Sequence, residues 1–186
     1  MAPHILKGPF TVETYQRLGE LGVLHEDDRV ELIAGQVVQM SPIGPDHWSC
    51  VNRLNTLFAP LAGRAATVSI QNPLVLDEHH EPQPDVVLLR HRADGYRARP
   101  PRPADVLLVI EVADSSLRYD QEVKIPLYAR AGIREVWLVD LTTHRIEIYG
   151  EPATGSYTHG RTLSRDAVLS PRHVPNFSLA VADILG

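Results

Sequence analysis

The stretch that decides the fold is VLLVIEV, residues 106–112, in which every residue except Glu111 is apolar. Such a run is typical of a strand buried on both faces, so we expect residues 105–113 to form the central strand of a sheet covered by helices. A buried ionised carboxylate is unfavourable unless it is paired, hydrogen-bonded or bound to a metal. Glu111 therefore predicts a partner inside the fold.

A second carboxylate stands beside another apolar run, and a lysine follows in a predicted helix. Asp85 opens the apolar run in QPDVVLL, residues 83–89, and Lys124 lies thirteen positions after Glu111 in a predicted helix, residues 119–131. Two carboxylates and a lysine are what metal-assisted phosphodiester cleavage requires. We expect Asp85, Glu111 and the carbonyl group of Val112 to hold Mg²⁺ or Mn²⁺, and Lys124 to orient the attacking water or stabilise developing negative charge.

Bulk composition limits the class of protein. The 186 residues, 44% of them hydrophobic and 22% charged, fit one domain spanning residues 1–186 with a sizeable core. No apolar run reaches the roughly 20 residues of a membrane span, and the N-terminus has no signal-peptide pattern. A single cysteine, Cys50, excludes an intramolecular disulfide. We therefore expect a cytoplasmic protein.

Charge gives a mixed indication about nucleic acid. The net charge of -5 argues mildly against a partner rich in phosphate. Residues 90–102, however, contain five arginines against one aspartate and predict an exposed loop directly after the Asp85 strand. This loop is either an ordinary solvated surface or a docking site for phosphate, with Arg90 and Arg92 as candidate substrate-binding residues.

Hydrophobic periodicity predicts the remaining elements. Helices are expected at residues 11–21 and 46–61, and a hairpin at 30–33 and 36–40 across the Ala34-Gly35 turn. Strands are expected at 66–76, 84–90, 135–140 and 145–149, followed by a C-terminal cap of irregular structure. His47, near the start of the long helix, could face the site or cap the helix. The element order predicts a mixed central β-sheet flanked by helices, an α/β or α+β fold.

The ordered set of Pro84-Asp85, Glu111 and a lysine resembles the PD-(D/E)XK, restriction-endonuclease-like superfamily. Within it, the chain is most similar to the small bacterial Uma-type endonucleases, long catalogued as a domain of unknown function. The resemblance covers most of the chain and includes the segment GIREVW, residues 132–137. One departure is that Ala113 stands where the superfamily has its lysine, two positions after the second acid. The resemblance implies that Lys124 takes over this function.

The resemblance also implies a restriction-endonuclease-like core with an N-terminal helix and hairpin extension. It adds Glu31 in the first hairpin as an auxiliary catalytic residue, and Gln71 as a residue lining the site. Ser115 and Ser116 predict caps for the following helix or contacts to phosphate.

The implied function is a Mg²⁺-dependent endonuclease acting on DNA, working as a homodimer. In a dimer, either strand 135–140, expected to be exposed, or the C-terminal cap would supply the interface. One alternative is a catalytically inactive module that binds nucleic acid or protein on the same scaffold. Another is a hydrolase of small phosphorylated molecules.

Overall fold

The computed structural model describes residues 8–25, 27–63 and 65–186. Its centre is a six-stranded sheet in which β5 and β6 are parallel and the other neighbouring strands are antiparallel. The order of strands across the sheet is β3-β4-β5-β6-β7-β8. In chain order the helices and strands are α1 (Val12–Glu20), β1 (Val30–Ile33), β2 (Gln36–Gln39), α2 (Pro45–Phe58), β3 (Ala66–Ile70), β4 (Val86–Arg90), β5 (Val106–Ala113), α3 (Leu117–Tyr119), a π-helical turn (Asp120–Lys124), α4 (Ile125–Arg130), β6 (Glu135–Asp140), β7 (Arg145–Ala153), β8 (Ser156–Leu163), β9 (Val168–Leu169), β10 (Leu179–Ala180) and α5 (Val181–Leu185).

The predicted central strand is confirmed. All eight residues of β5 are buried, and β5 lies between β4 and β6 near the middle of the sheet. Side chains alternate between the two faces of a strand, so Ile110 and Val112 face one layer while Val109 and Glu111 face the other. Ile110 and Val112 belong to one hydrophobic cluster and Val109 to a second.

Helices cover both faces of the sheet, as the sequence predicts. On one face, Leu54 and Phe58 of α2 pack with residues of α5 such as Ile184. On the other face, Leu127 and Tyr128 of α4 form part of the second cluster. The fold is therefore a mixed sheet between two helical layers, in agreement with the predicted fold class.

The N-terminal extension is attached to this core through its backbone. Thr11 caps α1 by accepting a hydrogen bond from the Thr14 amide. In the hairpin, Ala34 and Gly35 both have positive φ, 51° and 69°. Leu32 of β1 exchanges two backbone hydrogen bonds with Glu81, just before β4. The hairpin is thereby held against the segment that leads to Asp85.

Three expectations about elements need correction. The strand expected at residues 66–76 ends at Ile70, because Gln71 leaves the extended conformation with φ 49°. The helix expected at residues 119–131 is divided into α3, the π-helical turn and α4. The C-terminal cap is preceded by a full strand, β8, whose mostly exposed residues give little apolar signal.

The expectation that strand 135–140 is exposed and available as an interface is wrong. It forms β6, which pairs with β5 and β7, and all six of its residues are buried. None of the helices in the described ranges has the length and apolar character needed to cross a membrane.

Candidate active site

The sheet register brings the two predicted carboxylates together. Asp85 immediately precedes β4, and Glu111 lies near the end of β5. Because β4 and β5 are antiparallel with Val86 opposite Ile110, residues 85 and 111 lie side by side.

Three donors hold the Asp85 carboxylate. His47 Nε2 and Gln71 Nε2 each lie 3.1 Å from Oδ1, and the amide of Val112 donates to Oδ2 at 2.9 Å. Burial alone would raise the pKa of Asp85, but the hydrogen bonds from His47 and Val112 and the nearby charge of Lys124 outweigh it and lower the pKa. Asp85 is therefore a fixed, ionised group.

The Glu111 carboxylate has a different environment. It is 2% exposed, Tyr128 donates its hydroxyl to Oε1 at 2.5 Å, and Lys124 Nζ lies 3.1 Å from the same oxygen. Burial raises the pKa of Glu111 to about 8 although Lys124 opposes this shift. Two adjacent carboxyl groups thus have pKa values displaced in opposite directions, as is common at catalytic sites.

Lys124 bridges two carboxylates. Its Nζ lies 3.3 Å from Glu31 Oε2, in addition to its contact with Glu111, and the residue is 5% exposed. Burial lowers the pKa of this amine, but the charges of Glu111 and Glu31 outweigh burial and raise the pKa. Lys124 belongs to the π-helical turn, a distortion often found at functional sites.

The hairpin supplies Glu31 to the same site. Besides its contact with Lys124, Glu31 accepts hydrogen bonds from the Gln83 amide at 3.2 Å and from the Tyr119 hydroxyl at 3.4 Å. The N-terminal extension therefore forms one wall of the site.

One pocket of about 310 Å³ is lined by Glu31, His47, Asp85, Glu111 and Lys124. Ser115 and Ser116 also line it, and Ser116 Oγ donates to Asp120 Oδ2 at 2.6 Å. Asp120 is buried, and burial raises its pKa to about 6. The pocket thus combines several carboxylates with one buried ammonium group.

Comparison with known proteins shows the family and the fold of the chain. The family model for Uma2, described as "Putative restriction endonuclease", matches residues 12–182. The chain belongs to the Uma2 family. Among the solved structures, the chain is similar to one titled as a "putative nuclease belonging to DUF820 from Anabaena variabilis ATCC 29413". The two chains share 17% identity with a TM-score of 0.67, over 95% of this chain and 98% of the other, a likeness that concerns the fold. No curated protein matches.

Not every predicted residue of this Uma2 chain lies at the pocket. Gln71 contacts Asp85 but lines a neighbouring pocket. Arg90 ends β4, five residues from Asp85 or roughly 16 Å along a strand. Arg92 pairs with Asp94, and the Arg90 Nε donates to the Ala104 carbonyl. The structure thus separates the arginine loop from the pocket, and its role in substrate binding stays a prediction.

Two functional candidates of the Uma2 chain, Tyr128 and Asp120, had no predicted role, and for His47 two alternatives were open, facing the site or capping the helix. Tyr128 lies four positions after Lys124, and this helical spacing could have indicated a shared face. Asp120 also lies four positions before Lys124. His47 meets Asp85 only through tertiary packing of α2 against the start of β4, so no local pattern reveals the contact.

Proposed function

We propose that this chain is a metal-dependent endonuclease that hydrolyses DNA phosphodiester bonds. The observation that carries the proposal is the convergence of Asp85, Glu111, Lys124 and Glu31 on a single pocket. Family membership supports a nuclease, and the PD-(D/E)XK resemblance supports DNA as the polymer.

The donor set fits Mg²⁺ or Mn²⁺. Among residues 8–25, 27–63 and 65–186, no group of three or more His, Cys, Asp and Glu side chains is arranged as a complete metal site. Mg²⁺, however, is commonly held by one or two carboxylates together with waters and substrate phosphate. Asp85 and Glu111, with the Val112 carbonyl, would hold the ion. When bound, it would polarise a phosphoryl oxygen and lower the pKa of a coordinated water.

The protein side chains have separate tasks in this proposal. His47, Gln71 and the Val112 amide fix the Asp85 carboxylate, so its orientation is set before substrate binds. An ammonium group has three N–H donors, and Glu31 and Glu111 accept two from Lys124. The third remains for a phosphoryl oxygen or the attacking water, where it would stabilise charge that accumulates as the P–O bond breaks.

A homodimer is part of the proposal because cutting both strands of a duplex requires two active sites. Its test is the mass of the purified protein in solution by sedimentation equilibrium. A monomer at the concentrations that cleave DNA would contradict the dimer but not the nuclease.

The function is tested by incubating wild type, Asp85→Asn and Glu111→Gln with supercoiled and linear DNA in Mg²⁺, Mn²⁺ or EDTA. We expect the wild type to cleave only with metal, and each variant to lose at least about 100-fold in rate. Calorimetric titration with Mn²⁺ should show weaker binding to both variants. Glu122→Gln is the matched control, because Glu122 is exposed and pairs with Arg118, which is exposed as well.

The outcomes separate the rival functions. Metal-independent binding of DNA without cleavage would favour a non-enzymatic interaction module. Hydrolysis of a small phosphodiester without affinity for DNA would favour a hydrolase of small molecules. Equal cleavage by wild type and both variants would place the activity elsewhere.

A further inference from the structure

A second pocket, of about 810 Å³, adjoins the candidate active site. The two pockets share Arg29, Ile43 and Gln83 in their walls. The second pocket is otherwise bounded by α1, by the segment between α1 and β1, and by residues on either side of the loop that leads to Asp85. A ligand whose phosphate enters the first pocket could therefore extend directly into the second.

A buried carboxylate lies in the wall of this second pocket. Glu81 is 6% exposed, and its two oxygens accept hydrogen bonds from the single side-chain amide of Gln16, at 3.2 and 3.1 Å. No cation lies within salt-bridge distance of Glu81 among the described residues. Burial raises the pKa of Glu81, with Gln16 opposing the shift. A buried carboxylate that is held by one amide and has no cation beside it retains acceptor sites for the N–H or O–H groups of a ligand.

Glu81 is also held rigidly. Its backbone amide donates to the Leu32 carbonyl at 2.8 Å, and its carbonyl accepts from the Leu32 amide at 3.2 Å. A carboxylate fixed in this way presents only acceptors, so its ligand must offer N–H or O–H donors.

The remaining walls combine apolar surface with the charged side chains of Arg29, Glu20 and Asp28. Tyr15, Leu24 and Pro73 supply apolar surface, and Gln83, whose side-chain amide donates to the Gln71 carbonyl at 2.7 Å, lines the same pocket. Arg29 lies between the two pockets and makes no side-chain hydrogen bond or ion pair within the part of the chain that the structure describes. A guanidinium group in that place is suited to a phosphate linking two nucleotides.

We propose that the second pocket is a subsite for an unpaired nucleobase that carries an exocyclic amino group, adjacent to the phosphate bound in the first pocket. Glu81 accepts a hydrogen bond from that amino group, as carboxylates accept from the amino group of cytosine. Arg29 contacts the intervening phosphate. This proposal rests on the proposed nuclease function, since it takes the ligand to be a nucleic acid strand.

The test is fluorescence anisotropy with labelled single-stranded oligo-dC and oligo-dT in EDTA, where cleavage does not interfere. We expect the wild type to bind oligo-dC about tenfold more tightly than oligo-dT, and Glu81→Gln to lose most of this preference. Glu13→Gln is the matched control, because it makes the same chemical change at an exposed position of α1 that lines neither pocket.

A second variant blocks the subsite without touching Glu81. Gly19 lies in α1 and in the wall of the second pocket, and a Cβ added there meets nothing within 4 Å. Gly19→Phe should therefore fold, which circular dichroism will verify, and should weaken binding of both oligonucleotides about tenfold.

The results distinguish the two proposals. If Glu81→Gln and Gly19→Phe bind both oligonucleotides as the wild type does while the wild type still cleaves DNA, the subsite is refuted and the nuclease stands. If the wild type neither binds oligonucleotides nor cleaves DNA under any metal, both are refuted.

Discussion

Lys124 brings one positive charge to two buried carboxylates, Glu31 and Glu111. A single ammonium group cannot neutralise both. The pKa of Glu111 is raised to about 8, so near neutral pH Glu111 retains a proton while Lys124 stays charged beside Glu31. The site thus reduces repulsion among its carboxylates by protonating Glu111.

This protonation predicts a pH dependence of stability. Between the ordinary pKa of 4.5 and the folded value of about 8, folded Glu111 binds a proton that the unfolded chain has released. The free energy of unfolding should therefore fall as pH rises through this window, by on the order of a few kcal/mol, and this dependence should end above about pH 8. The Gln side chain of Glu111→Gln cannot titrate. The free energy of unfolding of this variant, relative to that of the wild type, should therefore rise as pH increases across the same window.

Thermal melts in EDTA from pH 5 to pH 9 measure this difference. Glu122→Gln, at an exposed position, should follow the wild type throughout. Parallel pH profiles for wild type and Glu111→Gln would show that Glu111 is already ionised in the folded protein.

Single residues differ in how far the sequence can predict them. Asp85 and Glu111 stand out because a carboxylate beside or within an apolar strand needs a partner. His47 cannot be recognised in this way, since its contact with Asp85 depends on how α2 crosses the sheet. The arginine loop illustrates the converse. It follows Asp85 closely in sequence, but β4 lies between them, so the loop and Asp85 are at opposite ends of the strand.

At the scale of elements, the hairpin that carries Glu31 has a strained turn. Ala34 has φ 51° and Gly35 φ 69°, whereas positive φ at both central positions of a hairpin turn favours Asn followed by Gly. Ala34→Asn should therefore raise stability by about 0.5–1 kcal/mol. Chemical denaturation measures this change, and cleavage should be unaffected because residue 34 does not line the pocket. A less stable variant would mean that the side chain at this position is constrained by neighbours rather than by φ.

The elements that sequence predicts well are those with a regular apolar period. β5, α2 and the hairpin follow this rule. The π-helical turn does not, because a single wider turn alters the direction of Lys124 without changing the residue types around it. Strand β8 also escapes prediction, since its side chains are mostly exposed and polar. Its pairing comes from backbone hydrogen bonds with β7, in which every residue can accept and every residue except proline can donate.

At the scale of the whole molecule, the two hydrophobic clusters share the same sheet. Val109 faces one cluster and Ile110 the other, so β5 contributes to both. Loss of either helical layer would therefore expose strands on which the other layer depends. This coupling predicts that the sheet and its two helical layers unfold as one cooperative unit.

Phe58→Ala tests the coupling. Phe58 is fully buried and packs against Trp137 and Phe177 on the α2 face, so its truncation should cost about 3–5 kcal/mol. Differential scanning calorimetry should show one transition for wild type and one for the variant, lowered by on the order of 10 °C, with equal calorimetric and van't Hoff enthalpies. Tyr128 lies on the opposite face with Tyr96, Tyr149 and Tyr157, and the near-UV signal of the tyrosines should be lost at the same lowered temperature. Two separate transitions, with the tyrosine signal lost at the wild-type temperature, would mean that the two layers are independent and that the shared strands do not couple them.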